Sequence, residues 1–110
     1  MRQVTPQPLT ETVVLILASL AGQPRHGYAL MQDIARLSDG RVRMSTGTLY
    51  GALRRLLEAG WIERHHQADT SRDKQAYRLT ANGRAQLEAE VDRMRQLTRA
   101  ASARMRAGEV

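Results

Sequence analysis

Between residues 45 and 55 the chain sets Ser45, Thr46, Thr48 and Tyr50 close to Arg54 and Arg55, with Gly47 and Gly51 among them. On a helical wheel centred on Leu49, the residues Ala52, Leu53, Leu56 and Leu57 share one side, which belongs to a core. Gly47, Gly51, Arg54 and Glu58 fall opposite, flanked by Thr48, Tyr50 and Arg55. A slim face with short hydrogen-bonding groups and a basic flank suits insertion into a DNA major groove. Ser45, Thr46, Thr48 and Tyr50 can reach phosphates or base edges, and the arginines can neutralise phosphate or read guanine. The N-terminal amides of such a helix also favour phosphate. Glycines on an exposed helix face cost about 1 kcal/mol each relative to Ala; close approach of a partner surface would offset that. A plainer account competes: Ser45 and Thr46 only cap, and the arginines only solvate the surface.

A second basic group lies in the polar stretch 67–73 and just after it, where Arg72 and Lys74 sit beside Asp69 and Asp73. At the tip of a hairpin these cations suit contact with DNA backbone or minor groove. A solvated turn is the alternative. Other chemistry is sparse. The histidines are His26, His65 and His66, and the last two alternate faces on an expected strand, which hinders joint chelation. No cysteine is present, which excludes disulfides and thiolate sites. GxSxG, P-loop and GxGxxG patterns are missing as well. The expectation is a protein with no catalytic residues, no metal and no cofactor, and so not an enzyme.

The elements that must position these groups follow from capping and periodicity. Residues 1–9 carry two prolines and read as a flexible arm. A first helix spans about Thr10 to Ala21, capped by Thr10 or Thr12, and Val13, Val14, Leu15, Ile16, Leu17 and Leu20 make it apolar nearly all round. Such a helix is buried on more than one side, and Val14 and Leu17 are candidates for contact with a second subunit. Gln23-Pro24-Arg25 reads as a turn, followed by a second helix from Gly27 to Leu37. The third helix starts at Ser45 or Thr46 and stops at Gly60. Trp61–His66 and Lys74–Leu79 read as a two-stranded hairpin. Thr80 caps a last helix that reaches about Met105. There Leu87, Val91, Met94, Thr98, Ala101 and Met105 recur at heptad spacing, with Leu97 widening the seam. A stripe of that length exceeds what a single small subunit can cover, so it is assigned to homodimerisation.

The whole chain fits this frame. It has 110 residues, enough for one domain, and a formal charge of +6, which favours polyanions such as nucleic acid. Its longest apolar run, Val13 to Ala18, is far below the roughly 20 residues of a membrane span. The first residues lack a secretory pattern. A cytoplasmic location with no membrane partner is expected.

The segments His26-Gly27-Tyr28-Ala29-Leu30, Gly47-Thr48-Leu49-Tyr50 through Leu56, Leu57 to Glu63, and Tyr77 to Arg84 together resemble the PadR family of transcriptional regulators. The resemblance runs from about Thr10 to Leu87, and the length fits the small subfamily with one C-terminal helix. It implies a winged helix-turn-helix, mainly α with a β-hairpin, plus a long C-terminal dimerisation helix. It further implies a homodimeric repressor of a palindromic operator on double-stranded DNA, released by a small-molecule effector. By position, Thr46, Thr48, Tyr50 and Arg54 would belong to the recognition helix, and Tyr28 would open the supporting helix. Two positions depart from the family: Gly51 and Ala81 stand where proline is common. The organisation expected is an arm over 1–9, a DNA-binding unit over 10–80 and a dimerisation helix over 81–110. A winged-helix protein-interaction module without a specific DNA target is the competing function.

Overall fold

The computed structural model describes residues 8–66 and 75–108. The elements run α1 (Glu11–Gly22), β1 (Arg25–His26), α2 (Gly27–Leu37), α3 (Thr46–Ala59), β2 (Ile62–His65), β3 (Ala76–Leu79) and α4 (Ala81–Ala107). Three of the four helices begin on a hydroxyl cap. Thr10, Ser45 and Thr80 each accept a hydrogen bond from the backbone N–H three residues on, at 3.2, 3.2 and 3.0 Å. Each satisfies one of the amides left unpaired in a first turn. α3 ends on Gly60, whose φ of 78° closes the helix in the left-handed region that glycine occupies without a side-chain clash.

Ile16, Leu17 and Leu20 of α1 pack with Leu30 and Ile34 of α2, with Leu49, Leu53 and Leu56 of α3, and with Ile62 and Tyr77 of the sheet. α1 touches α2, α4 and β3, which explains its apolar circumference. Two expectations change here. Leu17 has no exposed surface, so it belongs to the core of its own subunit and has nothing left to offer a partner. Val14 remains half-buried. The hairpin is also joined by a third strand: β1 pairs antiparallel with β3, Arg25 opposite Tyr77, giving the order β1-β3-β2. Residues 25–26, expected as turn and helix entry, thus supply backbone partners to the free edge of β3. Two residues carry no alternation that could announce a strand.

A polar cluster fixes α2 on α1. The buried Asp33 carboxylate accepts from the Ser19 hydroxyl at 2.6 Å and from Arg36 at 3.1 Å, and it pairs with Arg25 at 3.4 Å. Arg25 also donates to the Ser19 carbonyl at 3.1 Å. A buried carboxylate needs partners of this kind, because desolvation otherwise penalises its charge. The connection to α3 turns through Asp39 and Gly40, both at positive φ, and the Ser38 hydroxyl accepts from the Val42 N–H at 2.9 Å.

α4 starts against the end of α3. Thr80 donates its hydroxyl to the Gly60 carbonyl at 2.7 Å and its N–H to the Trp61 carbonyl at 3.0 Å. A Cβ on Gly83 would collide with the Trp61 carbonyl and lie 2.8 Å from its carbon, so only glycine lets the helix approach this closely. Further along, buried Glu90 accepts two hydrogen bonds from Arg93, at 3.0 and 2.6 Å, and one from the Leu9 backbone. The arm expected over residues 1–9 therefore ends at a fixed point, with Leu9 packed on the core; residues 1–7 lie outside the described residues. Beyond Arg95, α4 projects from the rest of the described residues: every residue from 96 to 107 is exposed except half-buried Ser102.

Candidate nucleic-acid interface

α3 turns Leu49, Ala52, Leu53 and Leu56 into the core, and the same rotation directs the opposite face outward. Ser45, Thr46, Gly47, Thr48, Arg54, Arg55 and Glu58 are exposed, and Gly51 is half-buried. Among the described residues no close neighbour accounts for the two glycines. A Cβ on Gly47 would meet open space, and one on Gly51 would make ordinary contact with Arg55 at 3.8 Å. The hydroxyls at the tip are partly committed. Ser45 Oγ accepts from the Thr48 N–H and donates to Thr48 Oγ1 at 2.9 Å. Thr48 Oγ1 therefore keeps its own proton, and the outermost donor is Thr48 rather than Ser45.

Tyr50 behaves differently from its neighbours. It is 40% exposed, yet its ring folds back over α2. A Cβ on Gly27 would strike the Tyr50 hydroxyl and stand 2.9 Å from Cζ. Gly27 is the seat on which Tyr50 lies. The wheel could not show this, because it treats α3 without its neighbour; a glycine followed by tyrosine at the start of α2 was the only trace. Tyr28, at the opening of α2, is 69% exposed. Tyr28, Tyr50 and buried Tyr77 surround a cleft of about 490 Å³, also lined by His26, Gly27, Ala29 and Gln75. Burial pushes the Tyr77 phenol pKa up, neighbouring Tyr50 adds to this, and Arg64 opposes it. The hairpin pattern of the sequence carries no sign that Tyr77 lines this cleft.

Arg72 and Lys74 lie outside the described residues. On the strands that lead to them, Arg78 pairs with Glu63 across the β2–β3 ladder. Of the seam on α4, Leu87, Val91 and Met94 are half-buried, while Thr98 and Ala101 are exposed. Leu97 and Met105 are 59% and 66% exposed. Among the described residues no group of acidic, histidine or cysteine side chains could hold a metal ion, and no helix is long and apolar enough to cross a membrane.

Three short helices, a small antiparallel sheet and an outward-facing basic third helix define a winged helix-turn-helix DNA-binding protein. A family model described as the PadR-like family of transcriptional regulators matches residues 16–89, well over half the chain. The chain belongs to that family; it is a DNA-binding transcriptional regulator and not an enzyme. Solved structures agree on the fold. A PadR-like transcriptional regulator from Bacillus cereus has 22% identity and a TM-score of 0.71, covering 86% of this chain and 90% of its own. A PadR family regulator from Clostridium difficile has 23% identity and a TM-score of 0.68, with 87% and 99% covered. A probable transcriptional regulator from Pseudomonas aeruginosa has 31% identity and a TM-score of 0.65, with 86% and 65% covered. No curated protein sequence matches the chain.

Proposed function

We propose that this chain is a cytoplasmic homodimeric repressor that reads a palindromic operator and is released by a small-molecule effector. In this reading residues 10–80 hold the DNA and residues 81–110 hold the partner subunit. α3 enters the major groove, with Thr46, Thr48 and Arg54 toward the bases and phosphates and Tyr28 and Tyr50 at the flanking backbone. Arg72 and Lys74 would reach the adjoining backbone from the hairpin. The observation that carries the proposal is the outward face of α3: small, basic and largely exposed among the described residues. Glycines there cost helix stability without any internal return, and a duplex that must come close supplies a reason for them. The homodimer rests on the α4 stripe from Val91 to Met105, which its own subunit leaves largely bare.

A mobility-shift titration against the DNA upstream of the protein's own coding region tests this. The expected result is a Kd of order 10 nM at about 150 mM salt, with a log K against log salt slope near −5 for about six phosphate contacts. Arg54→Ala together with Thr48→Ala should remove the preference over random DNA. Equal affinity for operator and random duplex in the unmodified protein would defeat the proposal.

A further inference from the structure

The end of α3 and the beginning of α4 are tied together by a set of short polar bonds. α3 closes on a glycine turn, in which the Gly60 N–H donates to the Leu57 carbonyl at 3.1 Å and the Trp61 N–H to the Leu56 carbonyl at 3.0 Å. The carbonyls of the same two residues receive Thr80. Its hydroxyl donates to Gly60 at 2.7 Å, and its N–H donates to Trp61 at 3.0 Å. That hydroxyl also accepts from the Gly83 N–H at 3.0 Å, as the cap of α4. The Ser45 hydroxyl, by contrast, places its proton inside its own helix, on Thr48 at 2.9 Å. Gly83 removes the remaining slack. A Cβ there would collide with the Trp61 carbonyl oxygen and lie 2.9 Å from Leu79 Cδ1, so the first turn of α4 sits directly on the turn that closes α3. Away from this joint the two helices rest on different supports, α4 on α1 and β3, α3 on α2 and β2. The joint thus fixes the angle between the helix that faces DNA and the helix whose bare half would meet a partner.

That angle matters for DNA. α3 has 14 residues, a rod of about 21 Å held at its Gly60 end. A tilt of about 10° at that end moves the Thr46–Thr48 tip by about 3.5 Å, roughly one base-pair step along the duplex. We infer that Thr80 and Gly83 are positioning residues that set the separation of the two operator half-sites, by locking α4 onto the Gly60–Trp61 turn of α3. The half-site sequence itself is left to α3. Their role rests on the homodimeric, DNA-binding reading of the chain.

Two measurements on the full-length protein test this. In the first, duplexes are selected from a random pool at about 150 mM salt and sequenced. The unmodified protein should return an inverted repeat with one separation. Thr80→Val, which loses the hydroxyl and keeps the shape, should return the same half-site with its separation moved or spread by about one base pair. Gly83→Ala should act in the same way. Thr80→Ser, which keeps the hydroxyl, should restore the original separation. Thr10→Val removes a helix cap away from the joint and should leave the separation as it was. A separation unchanged in Thr80→Val, whether or not Gly83→Ala folds, or one changed equally by Thr10→Val, would overturn the role of the joint. The second measurement needs no DNA. The chain has no cysteine, so nitroxides attach only at Ala59→Cys on α3 and Gln96→Cys on α4, both exposed positions. Dilution with unlabelled protein leaves only pairs within a subunit. Their distance distribution should be narrow, and broader or displaced once Thr80→Val is added; identical distributions would show that the joint locks nothing. A lone half-site selected by the unmodified protein would defeat the homodimeric reading and with it the separation, while the label distances still decide whether α4 holds α3.

Discussion

Gly27 and Gly51 are both small for the sake of a neighbour, but the neighbours differ. At Gly27 the neighbour is internal, since the Tyr50 ring occupies the place of a Cβ. At Gly51 the chain offers only ordinary contact with Arg55, so the space is left for something outside the subunit. Mid-helix glycine costs about 0.5–1 kcal/mol relative to alanine through the freedom lost on folding. Gly51→Ala is therefore expected to stabilise the protein by that amount in a denaturant titration. The same methyl group should hinder the approach of the duplex and weaken operator affinity by about tenfold, roughly 1.4 kcal/mol. The two readouts move in opposite directions, which a merely structural glycine does not allow. A stabilised variant with unchanged operator affinity would remove Gly51 from the interface.

Each helix carries a few polar contacts, and on α4 the buried Glu90 joins Arg93 of its own helix to the Leu9 backbone ahead of α1. Arg93, donating to both carboxylate oxygens, holds the Glu90 pKa below the usual glutamate range; the Leu9 N–H helps and burial opposes. The folded state thus binds the proton less readily than the unfolded chain. The contribution to stability is complete above the unfolded value, about pH 4.3, and fades as pH falls through the lower folded value. Glu90→Gln should lower the thermal midpoint by a constant amount from pH 7 down to about pH 5, and the gap should close below that. A gap that persists to about pH 3 would mean that the carboxylate charge does no anchoring. Elements of this kind were legible where a local signal sufficed. Thr10, Ser45, Thr80 and Gly60 mark helix ends by their own chemistry, and the Leu49–Leu56 stripe shows which side of α3 is buried. β1 was not legible because two residues have no period, and it exists only through the edge of β3. The burial of Leu17 and the fold-back of Tyr50 depend on which helix stands opposite, and no single-helix pattern contains that. The Glu90–Arg93 pair looks like any exposed pair three residues apart; the burial of Glu90 and its bond to the Leu9 backbone depend on what packs against α4.

As a whole the subunit is stretched. Its radius of gyration is 16.7 Å, against roughly 13 Å for a globule of this length, and its longest dimension is 63 Å. The excess is α4, 27 residues long, or about 40 Å. Its first half rests on α1 and β3, and among the described residues its second half, from 96 to 107, is exposed except for half-buried Ser102. A helical end that buries nothing has only its propensity to hold it, and in water that is marginal. The apolar side chains on it, Leu97 and Met105 above all, are where a second copy would supply the missing packing. Both are exposed in the subunit, so replacing them leaves its core intact. On the proposed homodimer, Leu97→Glu with Met105→Glu should leave a folded monomer in sedimentation, with the helical circular dichroism largely kept. Paired recognition helices about 34 Å apart, one turn of duplex, bind a palindrome together. The monomer engages a single half-site, so its affinity for the full operator should fall by about a hundredfold or more. Its contact with one half-site should be unchanged, because α3 is untouched. A double variant that sediments as a dimer would place the subunit contact elsewhere, and the exposed stripe on α4 would need another partner.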